Sequence, residues 1–308
     1  MQEIIPPIDR KLLKKELTKD LFMRKTNFAE RELYIITAHN APAVMQEIGR
    51  LREYTFRQAG GGTGKSCDID EFDTMENPYK QLVVWDPQSE EIIGGYRFIE
   101  GENIQIVNGN PLLSTGEIFD FSENFIQNYL PHTIELGRSF IQTKFQSTKE
   151  ARKGMYSLDN LWDGLGAICV QHPEIIYFFG KITMYRDFPL EARDYILFYL
   201  QTFFPDPDHL VIPRNPLQLV TNRQILEDTF KGLDLETAFK TLNKSIRKLG
   251  ENIPPLFSAY TKLSPTMRCF GTAINDHFGD VEETGILITI ADIYPDKKER
   301  HMQPIFLN

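Results

Sequence analysis

The chain has few cysteines and no long apolar run, and both absences exclude classes of protein. Cys67, Cys169 and Cys269 are odd in number and never form a C-x-x-C pair, so they predict neither a disulfide framework nor a zinc site. No stretch of eighteen apolar residues occurs, and the N-terminus lacks a basic and apolar leader. We therefore expect no transmembrane helix, no signal peptide and a reducing cytoplasm.

Sequence motifs of several enzyme classes are also missing. The histidines never form H-E-x-x-H, none is followed five residues later by aspartate, and no G-x-S-x-G occurs. These absences argue against metalloprotease, glycerolipid O-acyltransferase and serine hydrolase chemistry, and we expect no metal site. The net charge of −9 argues against general nucleic-acid binding.

A glycine-rich segment at residues 59–66 resembles a phosphate-binding P-loop only loosely. Ala59 stands where the motif has glycine, a helix rather than a strand is predicted before it, and an acidic run follows at residues 68–73. That run would repel phosphate. We interpret the glycines as allowing a loop to cross the sheet edge.

Positive charge is concentrated near the N-terminus. Residues 9–25 carry seven basic side chains against three acidic ones, with apolar residues from Leu13 to Phe22 at helical spacing. The pattern predicts an amphipathic helix within an N-terminal segment, residues 1–30. This helix either packs on the body of the protein with its lysines in water, or meets an anionic membrane surface or an acidic carrier protein.

The order of apolar patterns along the rest of the chain predicts a mixed α/β fold in one enlarged domain, residues 31–295. We expect a hairpin at residues 79–99, buried strands at 132–141 and 174–184, and helices at 41–58, 157–172 and 189–203. The aromatic residues from Phe198 to Phe204 favour a core rather than an acyl tunnel. Residues 205–250 form a predicted helical insertion with an unassigned proline-rich start, and residues 296–308 a predicted tail.

The apolar segment His132–Ile141 contains Glu135, Gly137 and Arg138. Ionised side chains inside a buried strand are costly unless they pair or serve a substrate. Because Glu135 and Arg138 are three apart, they would point to opposite faces of a regular strand. A β-bulge at Gly137 would place both on one face and free a backbone N–H, so this is the candidate active strand.

Four segments together resemble the acyl-homoserine-lactone autoinducer synthases in order and spacing. They are R-E-Y-T-F at residues 52–56, D-I-D-E-F-D at 68–73, G-G-Y-R-F at 94–98 and E-L-G-R-S at 135–139. With L-W-D-G-L at 161–165, P-P-L at 254–256 and Tyr260, the sequence is more similar still to the ornithine-lipid type N-acyltransferases. Asp68 departs from the glutamate usual in the synthases.

The resemblance implies a GNAT-type fold, with a mostly antiparallel twisted sheet flanked by helices. It implies transfer of a fatty acyl or 3-hydroxyacyl group from acyl carrier protein to the α-amine of a small amino acid, ornithine or glycine, in lyso-aminolipid synthesis. The thioester is then a co-substrate, with acyl-CoA as the alternative donor, and no cofactor is bound. From the cysteine usage we expect a cytoplasmic location, with peripheral membrane contact through the basic N-terminal helix as an alternative. Two alternatives stay open, an autoinducer synthase using S-adenosylmethionine and a non-catalytic acyl-binding protein.

The same resemblance assigns the site residues. Glu135 and Arg138 are the catalytic candidates, because a carboxylate can take the proton that an ammonium nucleophile must lose. The substrate-binding candidates are Arg52, Phe56, Asp70, Asp73 and Arg97. The candidates for holding acyl-pantetheine or its carrier protein are Gly137, Ser139, Lys149, Arg152, Lys153, Gly154 and Ser157. The alternative interpretation of the charged residues is a purely structural ion-pair network.

Overall fold

The computed structural model describes residues 1–146 and 156–302, and twelve strands lie within these ranges. They are β1 (Phe22–Lys25), β2 (Glu32–Ile36), β3 (Lys80–Asp86), β4 (Glu91–Glu100), β5 (Ile106–Val107), β6 (Asn110–Pro111), β7 (Phe119–Phe121), β8 (Thr133–Ile141), β9 (Tyr177–Met184), β10 (Val211–Pro213), β11 (Arg268–Asn275) and β12 (Val281–Thr289).

The helices are α1 (Arg10–Glu16), α2 (Pro42–Gln58), α3 (Glu71–Thr74), α4 (Ser157–Gln171), α5 (Leu190–Phe203), α6 (Arg223–Phe230), α7 (Leu235–Lys248), α8 (Pro255–Thr261) and α9 (Pro295–His301). A short π-helix spans Phe125–Tyr129. Among these residues, no helix combines the length and the apolar character that a membrane span requires.

The chain forms two compact units, which we describe separately. Unit 1 comprises residues 1–104, 132–176 and 295–308, and unit 2 comprises residues 105–131 and 177–294. That residues 31–295 form one enlarged domain therefore stays a prediction.

Unit 1 contains an antiparallel sheet in the order β1-β2-β3-β4-β8. The central strands β3 and β4 are buried along nearly their whole length, which explains their apolar sequences. Helix α4 packs closely on β3, since a Cβ at Gly164 would lie 2.4 Å from a methyl carbon of Leu82. Helix α2 buries Val44, Ile48 and Leu51. The predicted hairpin and the strand at residues 132–141 are confirmed.

The N-terminal helix is shorter than predicted. It ends at Glu16, and Phe22–Lys25 instead pairs with β2 as an edge strand, so the sheet satisfies backbone groups that a longer helix would have used. Arg10 bonds Glu91 at 2.5 Å and Lys14 bonds Glu90 at 2.6 Å, at the turn between β3 and β4. The helix thus packs on the body of unit 1, where two of its basic side chains, Arg10 and Lys14, form ion pairs.

Unit 2 contains the antiparallel strands β9-β12-β11, the pair β7-β10 and the hairpin β5-β6. Its helices surround an aromatic core in which the ring of Tyr199 contacts those of Phe203, Phe204, Phe230 and others. Tyr199 and Phe204 are each 1% exposed. This packing confirms that the aromatic run of α5 forms a core.

Three further segments differ from the sequence-based description. The unassigned segment at residues 205–222 contributes β10, which pairs with β7, and the predicted tail begins with helix α9. Strand β9 starts at Tyr177 rather than at Glu174. Helix α9 is held on α4 by His301, whose Nδ1 lies 2.8 Å from Asp163 Oδ1, a long-range contact that has no local sequence signal.

Candidate functional site

A β-bulge interrupts the pairing of β4 with β8. Arg97 pairs with Gly137 and Gly95 with Phe140, so Tyr96 alone faces both Arg138 and Ser139. The predicted bulge is therefore present, but the left-handed backbone lies at Arg138, with φ of 47°, rather than at Gly137. A non-glycine residue in this conformation is strained, and such strain is common at functional sites.

The short helix α3 presents two carboxylates to this sheet. The side chain of Asp70 accepts from the backbone N–H of Asp73, and the side chain of Asp73 accepts from that of Asp70, each at 3.2 Å. This reciprocal capping fixes both side chains at the helix start. Asp73 is fully buried, whereas the side chain of Asp70 is 22% exposed.

Arg52 of α2 is fully buried against these carboxylates. Its guanidinium donates to Asp73 at 3.3 Å and to the side-chain oxygen of Gln81, and the Gln81 amide donates to Asp73 at 2.9 Å. The Nε of Arg52 has no hydrogen-bond partner among the described residues. Burial lowers the pKa of Arg52, and the nearby Asp73 and Asp68 offset this only in part.

Arg97 of β4 lies between Asp70 and Asp73. Its Nη1 is 2.6 Å from Asp70 Oδ2 and 3.4 Å from Asp73 Oδ2. Burial alone would lower its pKa, but the two carboxylates outweigh burial and raise it. Burial by itself would raise the pKa of Asp70. The charge and the hydrogen bond of Arg97 outweigh burial and lower the pKa of Asp70 to about 2. Arg97 and Asp70 therefore form a persistent ion pair.

Arg138, at the bulge, also reaches Asp70 and lies closer to a third carboxylate, that of Asp68. Its Nε lies 3.0 Å from Asp68 Oδ2 and its Nη2 lies 3.8 Å from Asp70 Oδ2. Asp68 is buried beside α2, where its backbone N–H donates to the carbonyl of Gly49 at 3.0 Å. A Cβ at Gly49 would lie 2.6 Å from Cys67 Sγ, so only glycine permits this approach. Burial raises the pKa of Asp68, and Arg138 opposes this.

Glu135 lies on the same face of the sheet as Arg97. It pairs with Ile99, two residues along β4 from Arg97, and side chains two apart share a face. The carboxylate is buried, with the residue 1% exposed, and it accepts a hydrogen bond from the hydroxyl of Tyr79. The guanidinium carbon of Arg97 lies 5.0 Å from the centre of the Tyr79 ring.

The structure thus brings together most of the residues chosen from the sequence. Arg52, Asp70, Asp73, Arg97 and Arg138 form one connected network in unit 1, and Glu135 adjoins it through Tyr79. Phe56 is buried at the end of α2, with 7% of its surface exposed, and makes none of these polar contacts. Gly137 and Ser139 flank Arg138 in β8.

Apart from Gly137 and Ser139, Ser157 is the one residue expected to hold pantetheine or the carrier protein that the structure describes. Ser157, at the start of α4, is buried and accepts from Arg31 at 3.2 Å. Lys149, Arg152, Lys153 and Gly154 lie outside the described residues. Within residues 1–146 and 156–302, no group of histidine, cysteine, aspartate and glutamate side chains is arranged to hold a metal ion.

Sequence reasoning missed three members of the network, Asp68, Tyr79 and Gln81. Asp68 belongs to the acidic run at residues 68–73, but its departure from the family pattern removed it from the candidates. Gln81 is a polar residue inside the apolar strand β3, which is a usable signal. Tyr79 precedes that strand, and nothing local distinguishes it from a core aromatic residue.

Comparison with known proteins identifies the family. The chain is 54% identical over 304 residues to a glycine N(alpha)-acyltransferase of Phocaeicola vulgatus, covering 98% of this chain and 93% of the relative. It is 56% identical to a glycine N(alpha)-acyltransferase of Bacteroides thetaiotaomicron, covering 98% of this chain and 90% of the relative. The chain belongs to this family. It is an acyltransferase that acylates an amine, as the sequence predicted.

The family model of the acetyltransferase (GNAT) domain matches residues 51–154. This range contains Arg52 and the whole ion-pair network up to Arg138. The match, together with the antiparallel sheet flanked by helices, confirms the GNAT-type α/β fold predicted from the sequence. Two solved structures of a CoA-dependent acyl-homoserine lactone synthase, BjaI, cover 89% of this chain and 91% of their own, with a TM-score of 0.39. Their sequence identities are 11% and 10%.

Proposed function

We propose that the protein transfers a fatty acyl group from an acyl carrier protein thioester to the amine of glycine, forming an N-acylglycine. The names of the two relatives support glycine as the acceptor. The nitrogen attacks the thioester carbonyl, the carbon–sulfur bond breaks, and an amide bond forms. The ammonium group of glycine must lose a proton before it attacks, and the departing thiolate takes one up.

The observation that carries this proposal is the exposure pattern of the ion-pair network. Arg52 and Arg97 have side chains only 1% and 2% exposed, whereas Arg138 is 14% and Asp70 is 22% exposed. The most accessible cation and the most accessible anion among the site aspartates and arginines therefore lie 3.8 Å apart. A free amino acid carries one carboxylate and one ammonium, which complement Arg138 and Asp70.

In this arrangement Arg138 binds the carboxylate of glycine and Asp70 receives its ammonium. Glu135 is the general base, acting directly or through one water molecule. A backbone N–H of the bulge at residues 137–139 supplies a donor for the oxyanion of the tetrahedral intermediate. Arg52, Asp73 and Arg97 hold Asp70 and Arg138 in place, because a buried network of paired charges resists displacement when the substrate binds.

Acyl carrier protein is the proposed donor, with acyl-CoA as the alternative. Carrier proteins of this kind are acidic, and the basic residues at positions 144–153 and on α1 suit such a partner. The four basic side chains of α1, those of Arg10, Lys11, Lys14 and Lys15, are all exposed. We propose that α1 also contacts the anionic cytoplasmic face of the membrane, where the lipid product would be released.

The direct test incubates the purified protein with a 3-hydroxyacyl thioester of acyl carrier protein or of CoA, and with glycine, ornithine or no acceptor. We expect mass spectrometry to detect N-acylglycine with the carrier thioester as the better donor. Product with ornithine alone would overturn glycine as the acceptor, and no product with either would overturn the proposal. A further incubation with S-adenosylmethionine tests for the lactone and methylthio nucleoside of an autoinducer synthase.

A further inference from the structure

Tyr79 links the candidate base to the ion-pair network. It is fully buried, its hydroxyl donates to Oε2 of Glu135, and its ring lies beneath the guanidinium of Arg97. The backbone N–H of Tyr79 donates to the carbonyl of Phe72 at 2.8 Å, and the two rings pack edge to face at 5.7 Å. Tyr79 is therefore fixed at its backbone, at its ring and at its hydroxyl.

The sheet register explains how Tyr79 reaches a strand that is not its neighbour. Lys80 pairs with Phe98, so Tyr79 stands beside Ile99, and Ile99 pairs with Glu135. Adjacent strands are about 4.8 Å apart, so β3 and β8 are separated by about 10 Å. The extended phenol of Tyr79 and the side chain of Glu135 together span this distance across β4.

We infer that Tyr79 is a positioning residue for the acyl transfer reaction, holding the carboxylate of Glu135 in the orientation in which it accepts the proton of the amine. This inference rests on the proposed role of Glu135 as the base. A hydroxyl that donates to a carboxylate favours its charged form and restricts its rotation. The ring, packed between Phe72 and Arg97, prevents the hydroxyl from following the carboxylate elsewhere.

A purely structural role for Tyr79 would have different consequences. Its ring fills space and contacts Arg97, and Phe in place of Tyr keeps both of these functions while removing only the hydroxyl. If packing were the whole role, Tyr79→Phe would leave turnover unchanged. If the hydroxyl positions Glu135, Tyr79→Phe lowers kcat while the KM for the acceptor stays nearly the same, because the contacts to the substrate remain.

The chain offers a matched control in Tyr34. Its hydroxyl also donates to a carboxylate of unit 1, Glu32, at 2.8 Å, and the residue is 7% exposed. This pair is outside the ion-pair network. Tyr34→Phe therefore removes the same kind of hydrogen bond from the same sheet, and we expect it to leave kcat, KM and the pH profile unchanged.

The experiment measures kcat and KM for whichever acceptor the wild-type enzyme acylates, from about pH 5 to pH 9. We expect Tyr79→Phe to lower kcat by about tenfold to a hundredfold, with KM within about twofold. Thermal melting checks that the variant is folded.

A double-mutant cycle supplies a second, independent measurement. In the Glu135→Gln background, Tyr79→Phe should cost no more than about twofold in kcat, because there is no base left to position. An unchanged kcat in Tyr79→Phe, or equal losses in both backgrounds, would overturn the inference. Product with an acceptor other than glycine would overturn only the proposed substrate, since the same ratios still decide the role of Tyr79.

Discussion

Arg97 of β4 pairs with Gly137 of β8, and directly after this pair the two strands lose register. The bulge turns Arg138 toward Asp70, which Arg97 already contacts, so two guanidiniums from adjacent strands meet at this carboxylate. On a regular strand, Arg138 would lie on the opposite face from Glu135. One inserted residue thus brings the candidate base and the candidate carboxylate clamp to the same side of the sheet.

The first prediction concerns Glu135. We expect Glu135→Gln to lower kcat by about 10² to 10⁴, because the amide cannot take a proton from the amine. The fold should persist, since glutamine has nearly the same shape and its oxygen can accept the Tyr79 hydroxyl. Steady-state kinetics and thermal melting are the measurements, with Glu32→Gln as the control on the same sheet. Full activity in Glu135→Gln would remove Glu135 as the base.

The second prediction concerns stability at Arg97. Replacing it by methionine removes the 2.6 Å ion pair with Asp70 and leaves the buried Asp73 with Arg52 as its cation, which should cost about 3–5 kcal/mol in the free energy of unfolding. Arg97→Lys should cost less, because the positive charge is retained while the planar guanidinium is lost. Urea denaturation measures both.

The control for Arg97 is an exposed ion pair, Arg186 with Asp280 at 2.8 Å, whose side chains are 64% and 50% exposed. Arg186→Met should change the free energy of unfolding by no more than about 1 kcal/mol. Equal losses in Arg97→Met and Arg186→Met would show that the buried network contributes little to stability.

Much of the site could be predicted because its signals are local. Glu135 and Arg138 are charged residues in an apolar run, and a buried strand permits such residues only with partners. Asp70 and Asp73 have the spacing of a reciprocal cap, and α2 follows from the 3.6-residue apolar period. These features depend on a few neighbouring residues.

The remaining features depend on contacts between distant segments. Tyr79 contributes to the site only because β4 places Ile99 between it and Glu135. The apolar period of residues 9–25 fits one long helix, yet pairing with β2 makes Phe22–Lys25 a strand. The sequence likewise assigned the irregular backbone to Gly137, whereas the structure has it at Arg138, because the register of β4 decides which residue is extra.

The third prediction concerns acid stability through Asp70. Its pKa in the folded protein is about 2, below the ordinary 3.8, so its ion pair adds stability that is fully present above about pH 4. This contribution, about 2 kcal/mol, is lost as the pH falls toward 2. The difference in unfolding free energy between wild type and Asp70→Asn should thus be constant from pH 7 to about pH 5 and shrink below pH 4. Asp68, whose pKa is raised by burial, should give no such acid-sensitive loss.

The fourth prediction concerns the thiols. Burial raises the pKa of Cys67 to about 11, with a contribution from Asp68, and raises those of Cys169 and Cys269 to about 12. Because the thiolate is the reactive form, a disulfide reagent at pH 8 should label the native protein slowly and all three thiols rapidly after denaturation. Lys11→Cys, at an exposed position, is the control and should react at once. Rapid native labelling of any of the three would contradict this.

The last prediction concerns Glu53 and the glycine-rich segment. Glu53 is fully buried and accepts from the backbone N–H groups of Thr63 at 3.0 Å and Gly64 at 2.8 Å, and from Arg57 Nε at 2.6 Å. Burial raises the pKa of Glu53, but these hydrogen bonds outweigh burial and lower it. A carboxylate thus occupies the backbone donors that a phosphate would need.

Glu53→Gln should therefore lower the free energy of unfolding by about 1–3 kcal/mol, because charge-assisted bonds to the loop are lost and one amide N–H faces backbone donors. Glu71→Gln, at an exposed position of α3, should change it little. Addition of a nucleoside triphosphate should not shift the melting temperature of the wild type, since Glu53 already fills the loop. A nucleotide-dependent rise in that temperature would show that the segment binds phosphate after all.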